Sequence, residues 1–159
     1  MKRLLISISL ILSLAAAAVC QAEPKPRKPG ASDKCQVCGM LVSRYTDFAA
    51  QLQFQDGTAL FFDGPKDLFK YCLGLAAPQA GRKPADVTAL FVTSYYTLAP
   101  IDGRKAYYVT GSDVSGPMGR ELIAFEKEAE AREFKKDHKG KAVLRFQEVF
   151  PAILKELDR

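Results

Sequence analysis

Apolar positions along this chain fall into short runs broken by turn-forming residues. In "FAAQLQFQDGTALFFDGPKDLFKYCLG" the pattern predicts a strand around Ala49–Phe54, a turn at Asp56 and Gly57, and a second strand at Thr58–Phe62. The spacing then becomes helical. Leu68, Phe69 and Cys72 share one face, Pro65 suits a first helical turn, and Asp63 is a candidate cap. "DVTALFVTSYYTL" follows as a β-rich run. The second half predicts a strand at Lys105–Thr110, a long glycine-bearing connection, and a strand at Glu121–Phe125. A helix from about Lys127 to His138 comes next, with Ala131 and Phe134 on its apolar face and Gly140 as its stop. "AVLRF" adds a strand, and "QEVFPAILKEL" a final helix interrupted or started at Pro151.

Both halves therefore read strand–strand–helix–strand. "GTALFFDGPKDLFKYCLG" aligns with "RELIAFEKEAEAREFKKDHKG", which predicts an α+β fold of two packed ββαβ units related as a pseudo-repeat. The boundaries expected are 33–102 for the first unit and 103–159 for the second. Residues 23–32, alternating prolines with cations, read as an extended tether that cannot pack a core.

Ahead of the tether, Lys2 and Arg3 precede an apolar run from Leu4 to Val19 and then small residues. The run is short for a membrane span and follows the three-part logic of a signal peptide over residues 1–22. Cys20 stands where a lipoprotein carries its acylated cysteine, which would anchor the domain to a membrane surface. Val19 departs from the Gly, Ala or Ser expected there, and ordinary cleavage after Ala22 would discard Cys20 altogether. Both readings stay open. The formal charge is +5, two units of it on Lys2 and Arg3, and acids are interleaved with the cations throughout. That pattern excludes nucleic acid as a partner class.

The chemistry available is narrow. His138 is the single histidine, set at the polar end of a lysine-rich helix, and neither a Ser-His-Asp order nor a glycine-rich phosphate loop is present. Attention falls on "CQVCGM", residues 35–40. A Cys35–Cys38 disulfide would close a short, reducible ring, but no βαβ unit precedes it to supply a thioredoxin-like setting. As a zinc knuckle the pair is half of a closed site, with Cys72 and His138 as the remaining ligand types. Once Met1 leaves with the signal, two methionines remain, Met40 in "CGM" and Met118 in "GPMG". Met118 lies in a polar, Gly/Pro-rich connection rather than in a core run. Thiolate and thioether together form a soft donor set, which selects Cu(I) and requires reduced cysteines.

"CQVCGM", "FFDGPKDLFKY", "YYTLAPIDGRKAYYVTGSDVSGPMGRELIAFE" and "HKGKAVLRFQEV" together resemble the NosL family of exported copper-binding proteins, over about Lys34 to Val149. The resemblance implies a Cu(I)-binding accessory protein of the periplasm, often a lipoprotein, associated with copper delivery to nitrous oxide reductase. It also implies a fold of two ββαβ units. Carried over by position, it puts Cys35, Cys38 and Met40 in the first motif and Asp113 and Met118 in the "GSD…GPMG" stretch. Met118 is the leading ligand, and Asp113 either ligates or orients the loop. Cys72 matches no family ligand and reads as a core thiol. Two functions follow. One is a metallochaperone, not an enzyme, that passes copper to a client cuproenzyme or a membrane transporter. The other is a periplasmic thiol–disulfide reductase using Cys35 and Cys38.

Overall fold

The computed structural model describes residues 23–76 and 84–159. The signal-like segment and Cys20 lie outside them. Among the described residues nine strands and three α-helices follow one another. The first unit holds strands β1 (Ala50–Phe54) and β2 (Ala59–Phe62), helix α1 (Pro65–Cys72), and strands β3 (Val87–Thr93) and β4 (Pro100–Asp102). The second holds β5 (Tyr107–Thr110), β6 (Ser115–Gly116), β7 (Gly119–Arg120), β8 (Ile123–Phe125), α2 (Glu128–Asp137), β9 (Ala142–Arg145) and α3 (Pro151–Leu157).

The fold is α+β, and the repeat is visible in the strand order. β1 pairs antiparallel with β2 and with β3, so the first sheet runs β2-β1-β3, with β4 added at its edge. β5 pairs in the same way with β8 and β9, giving β8-β5-β9. In each unit the first strand is central and the helix follows the outer hairpin. The second unit carries an insertion, the hairpin β6–β7, between its first two strands.

Local chemistry accounts for most of the element ends. Gly57 takes φ +78° and closes the β1–β2 turn, with the Phe54 N–H donating to Thr58 O at 3.0 Å. Pro65 opens α1, where its missing N–H costs nothing. Two sequence expectations are corrected here. Asp63 does not cap α1: the N-cap is Gly64, without a side-chain bond, and Asp63 turns towards a thiol instead. Nor does Gly140 supply the left-handed residue that ends α2. Lys139 does, at φ 56°, while Gly140 is required because a Cβ there would lie 2.6 Å from Val109 Cγ1. The final helix starts at Pro151.

The alternation of side chains along a strand sets the layers. Tyr108 of β5 and Ala124 of β8 point into a large core shared with the first unit, among Leu52, Phe62, Leu68, Phe69, Leu154 and Leu157. Val109, Ile123 and Phe125, on the opposite face, pack against Ala131 and Phe134 of α2. The second sheet is thus covered on both sides. The first sheet is closed differently. Gln51 and Gln53 of β1 are buried because the proline-rich segment lies across them. Gln51 exchanges two 2.9 Å hydrogen bonds with the Arg27 backbone, and Gln53 Nε2 donates to Lys25 O at 2.7 Å. The segment expected to be a tether that cannot pack thus lies against β1 instead, and its backbone satisfies two buried amides.

Candidate metal centre

The "CQVCGM" stretch folds back on itself. Lys34 and Leu41 bridge, the Cys35 N–H donates to Met40 O at 2.8 Å, and Gly39 at φ +78° allows the reversal. The Gln36 N–H reaches Phe61 O at 3.2 Å, fixing the loop to β2 beside the start of α1. This places both thiols against two carboxylates from the β2–α1 junction. Cys38 Sγ donates to Asp63 Oδ2 at 3.2 Å, and Cys35 Sγ to Asp67 Oδ2 at 3.3 Å. One ligand atom from each of the four residues lies within 4.8 Å of all the others, a group that could hold a metal ion.

Burial and like charge govern the protonation of this cluster. Cys35, Asp63 and Asp67 are buried and Cys38 is half-buried. Burial pushes the Cys35 thiol far above its ordinary range. Burial, aided by the negative charge of Asp63, raises Cys38 to about 11. The Asp63 carboxyl is also raised, first by burial and then by the charge of Asp67, against the hydrogen bonds it accepts from the thiols. The metal-free centre therefore holds protonated thiols at neutral pH.

Met118 approaches from the other unit. It sits at the tip of the β6–β7 hairpin, where Pro117 and Met118 form the turn and Gly119 takes φ +81°. Its side chain is 48% exposed, which places it at the surface rather than in a core. Met118 and Cys38 line one open cavity of about 610 Å³, together with Val37, Lys66, Asp67 and Lys70.

The other sequence candidates lie elsewhere. Met40 is half-buried and outside this cavity's lining, and it meets Cys35 through its backbone carbonyl. Asp113 stands 3.0 Å from His138 Nδ1 and lines a separate cavity of about 260 Å³ with Arg120, Lys139, Lys141 and Glu156. His138, half-exposed, also stacks on Phe134 at 4.2 Å. Cys72 packs against the main core, and burial raises its thiol to about 11.

Sequence reasoning missed Asp63, Asp67, Lys66 and Glu121. The two aspartates stand at the start of a helix, where acids are ordinarily explained by capping and the helix dipole. Only their burial against sulfur marks them as more.

Fold and site define an α+β protein of two ββαβ units, with a thiol–carboxylate cluster at the foot of an open cleft and a thioether on its rim. The chain belongs to the NosL family, whose model matches residues 26–154. It is 30% identical over 137 residues to a protein of Stutzerimonas stutzeri described as a copper-binding lipoprotein, covering 79% of this chain. The match spans 66% of that relative's length, just under two thirds. The crystal structure of a copper chaperone of the family from Shewanella denitrificans superposes with a TM-score of 0.65 at 25% identity. That match covers 80% of this chain and 97% of the other.

Proposed function

We propose that this chain binds Cu(I) through Cys35, Cys38 and Met118 and passes it to a client cuproenzyme. The observation that carries the reading is the meeting of Cys38 and Met118, remote in sequence, on one open cavity with the Cys35 thiol behind it. Two thiols and a thioether suit Cu(I), which prefers soft donors. Asp63 and Asp67 are placed to receive the protons the thiols must release on loading. Met40 and Asp113 are secondary candidates: Met40 shapes the cysteine turn, and Asp113 braces the connection that leads to the hairpin.

A chaperone must also let its cargo go. An exposed thioether is a weak donor that a client's ligand can replace from the open side. The rival thiol–disulfide reductase is less well served, because its nucleophile needs a depressed pKa and both thiols are displaced upward. The client we propose is nitrous oxide reductase, the enzyme the family resemblance implies. We place the protein outside the cytoplasm, at the periplasmic membrane surface, anchored through Cys20. Among the described residues no helix is long and apolar enough to cross a membrane.

The test is an anaerobic Cu(I) titration of the reduced protein against a chromophoric chelator. One-to-one binding, abolished in Cys35→Ser/Cys38→Ser and weakened in Met118→Leu, is the expected result. Binding indifferent to Met118 would return the motif to thiol chemistry. For the client, loaded protein mixed with apo nitrous oxide reductase is expected to restore its copper absorption bands. For the anchor, fatty-acid labelling of the chain that is lost in Cys20→Ser is the expected result; no labelling of the unaltered chain would rule out the lipid.

A further inference from the structure

The hairpin that carries Met118 has two residues in each strand, too few to hold its own shape. Its tip is held from the other unit. Lys66, in the first turn of α1, is 2% exposed, and its ammonium donates to Met118 O at 3.1 Å while standing 3.5 Å from Asp158 Oδ1. A second tie runs the opposite way. Glu121, the residue after β7, is 3% exposed, and its Oε1 accepts the Lys66 N–H at 2.6 Å and the Leu122 N–H at 2.8 Å. Two glycines make room for it. A Cβ on Gly64 would lie 2.2 Å from Glu121 Oε2, and one on Gly116 would lie 3.0 Å from Glu121 Cβ. Burying an ammonium and a carboxyl is costly, and geometry has to offset the cost.

The residue after Lys66 is Asp67, the partner of Cys35. One turn of backbone thus bonds to the thiols on one side and to the methionine hairpin on the other. From this geometry we infer that Lys66 is a positioning residue for copper binding, holding Met118 over the thiols by clamping the hairpin carbonyl, with Glu121 fixing the helix end that carries it. The inference rests on Met118 being a copper donor, as proposed above.

A double-mutant cycle in the full chain tests it, using Lys66→Met, Met118→Leu and their combination. Two quantities are read: Cu(I) affinity by chelator competition, and the methionine-methyl NMR signal of the metal-free protein. If Lys66 acts through Met118, Lys66→Met weakens Cu(I) about tenfold when Met118 is present and less than twofold when it is Leu. The metal-free Met118 methyl signal narrows and moves towards its unfolded position, while that of Met40 stays. Lys66→Arg, which keeps a donor of similar reach, restores most of both. Equal weakening in both backgrounds, or an unmoved Met118 methyl, overturns the clamp. The methyl signal separates the two possible failures. Met118→Leu without effect on affinity sinks the donor assignment and the copper role built on it, whereas an unmoved Met118 methyl in Lys66→Met sinks the clamp while leaving the donor in place. Should Lys66→Met not fold, Lys66→Gln carries the same cycle.

Discussion

The two repeats place a helix start at matching positions, and the two starts have different fates. After β2 comes Asp63-Gly64-Pro65-Lys66-Asp67, with Asp63, Lys66 and Asp67 all buried. After β8 comes Glu126-Lys127-Glu128, at the surface and joined to its own helix by the ordinary pairs Lys127–Glu130 and Arg132–Glu128. Topology is shared, and charge content is similar. The difference is cover. The cysteine turn and the Met118 hairpin both lie over the first helix start, so its charges lose water and must find protein partners. Equivalent positions become a candidate site in one repeat and a solvated surface in the other.

The largest break in this comparison is expected at Glu121. Truncation in Glu121→Ala leaves the buried Lys66 and Leu122 amides without their acceptor, at a cost of about 1–3 kcal/mol for each amide in a denaturant melt. The same residue predicts a pH dependence. Burial raises its carboxyl from 4.5 to about 8, so the folded protein retains a proton that the unfolded chain has released. Stability from this group is therefore full below pH 4.5 and is lost as pH rises towards 8, at about 1.4 kcal/mol per unit. Glu121→Gln should flatten that part of the stability profile; an unchanged slope would assign it to another group.

Next in size is the pair of aspartates. Asp63→Asn and Asp67→Asn are each expected to weaken Cu(I) binding by roughly 10–100-fold, the usual cost of losing a group that orients a ligand. Glu128→Gln, near the start of the other helix, should leave affinity unchanged. Equal effects from the two helices would dissolve the distinction between them.

A smaller effect is expected in thiol reactivity. Removing the Asp63 charge lowers the Cys38 pKa, so Asp63→Asn should speed alkylation of Cys38 at pH 8 by roughly threefold to tenfold. Slower alkylation would mean that the carboxylate assists the thiolate instead of opposing it. Last comes Arg132→Ala, which breaks an exposed pair on α2 and is expected to cost no more than about 0.5 kcal/mol.

Much of the architecture was legible in the chain because its signals are local. The Asp56-Gly57 turn, Pro65 and Pro151, and the Ala131/Phe134 stripe each act within a few residues. The two errors at helix ends share one cause. Asp63 looked like a cap and Gly140 like a left-handed stop, since both types ordinarily fill those roles. Tertiary neighbours claimed them instead: a thiol for Asp63, and Val109 crowding Gly140. The buried Gln51 and Gln53 show the same limit, because their partners are backbone groups more than twenty residues away.

The candidate site divides along the same line. Sequence alone singled out the candidate donors, the thiols of Cys35 and Cys38 and the thioether of Met118, because soft chemistry is a property of side chains. It also determined the repeated strand–strand–helix–strand order, because periodicity is local. Only the tertiary structure decided that Met118 shares a cavity with Cys38 while Asp113 faces His138 on another. Only it could show that Asp63 and Asp67 oppose the thiols and that Lys66 reaches the hairpin. The physical reason is desolvation. A carboxylate or an ammonium reads as an ordinary surface charge until packing removes the water around it, and packing is set by the whole chain.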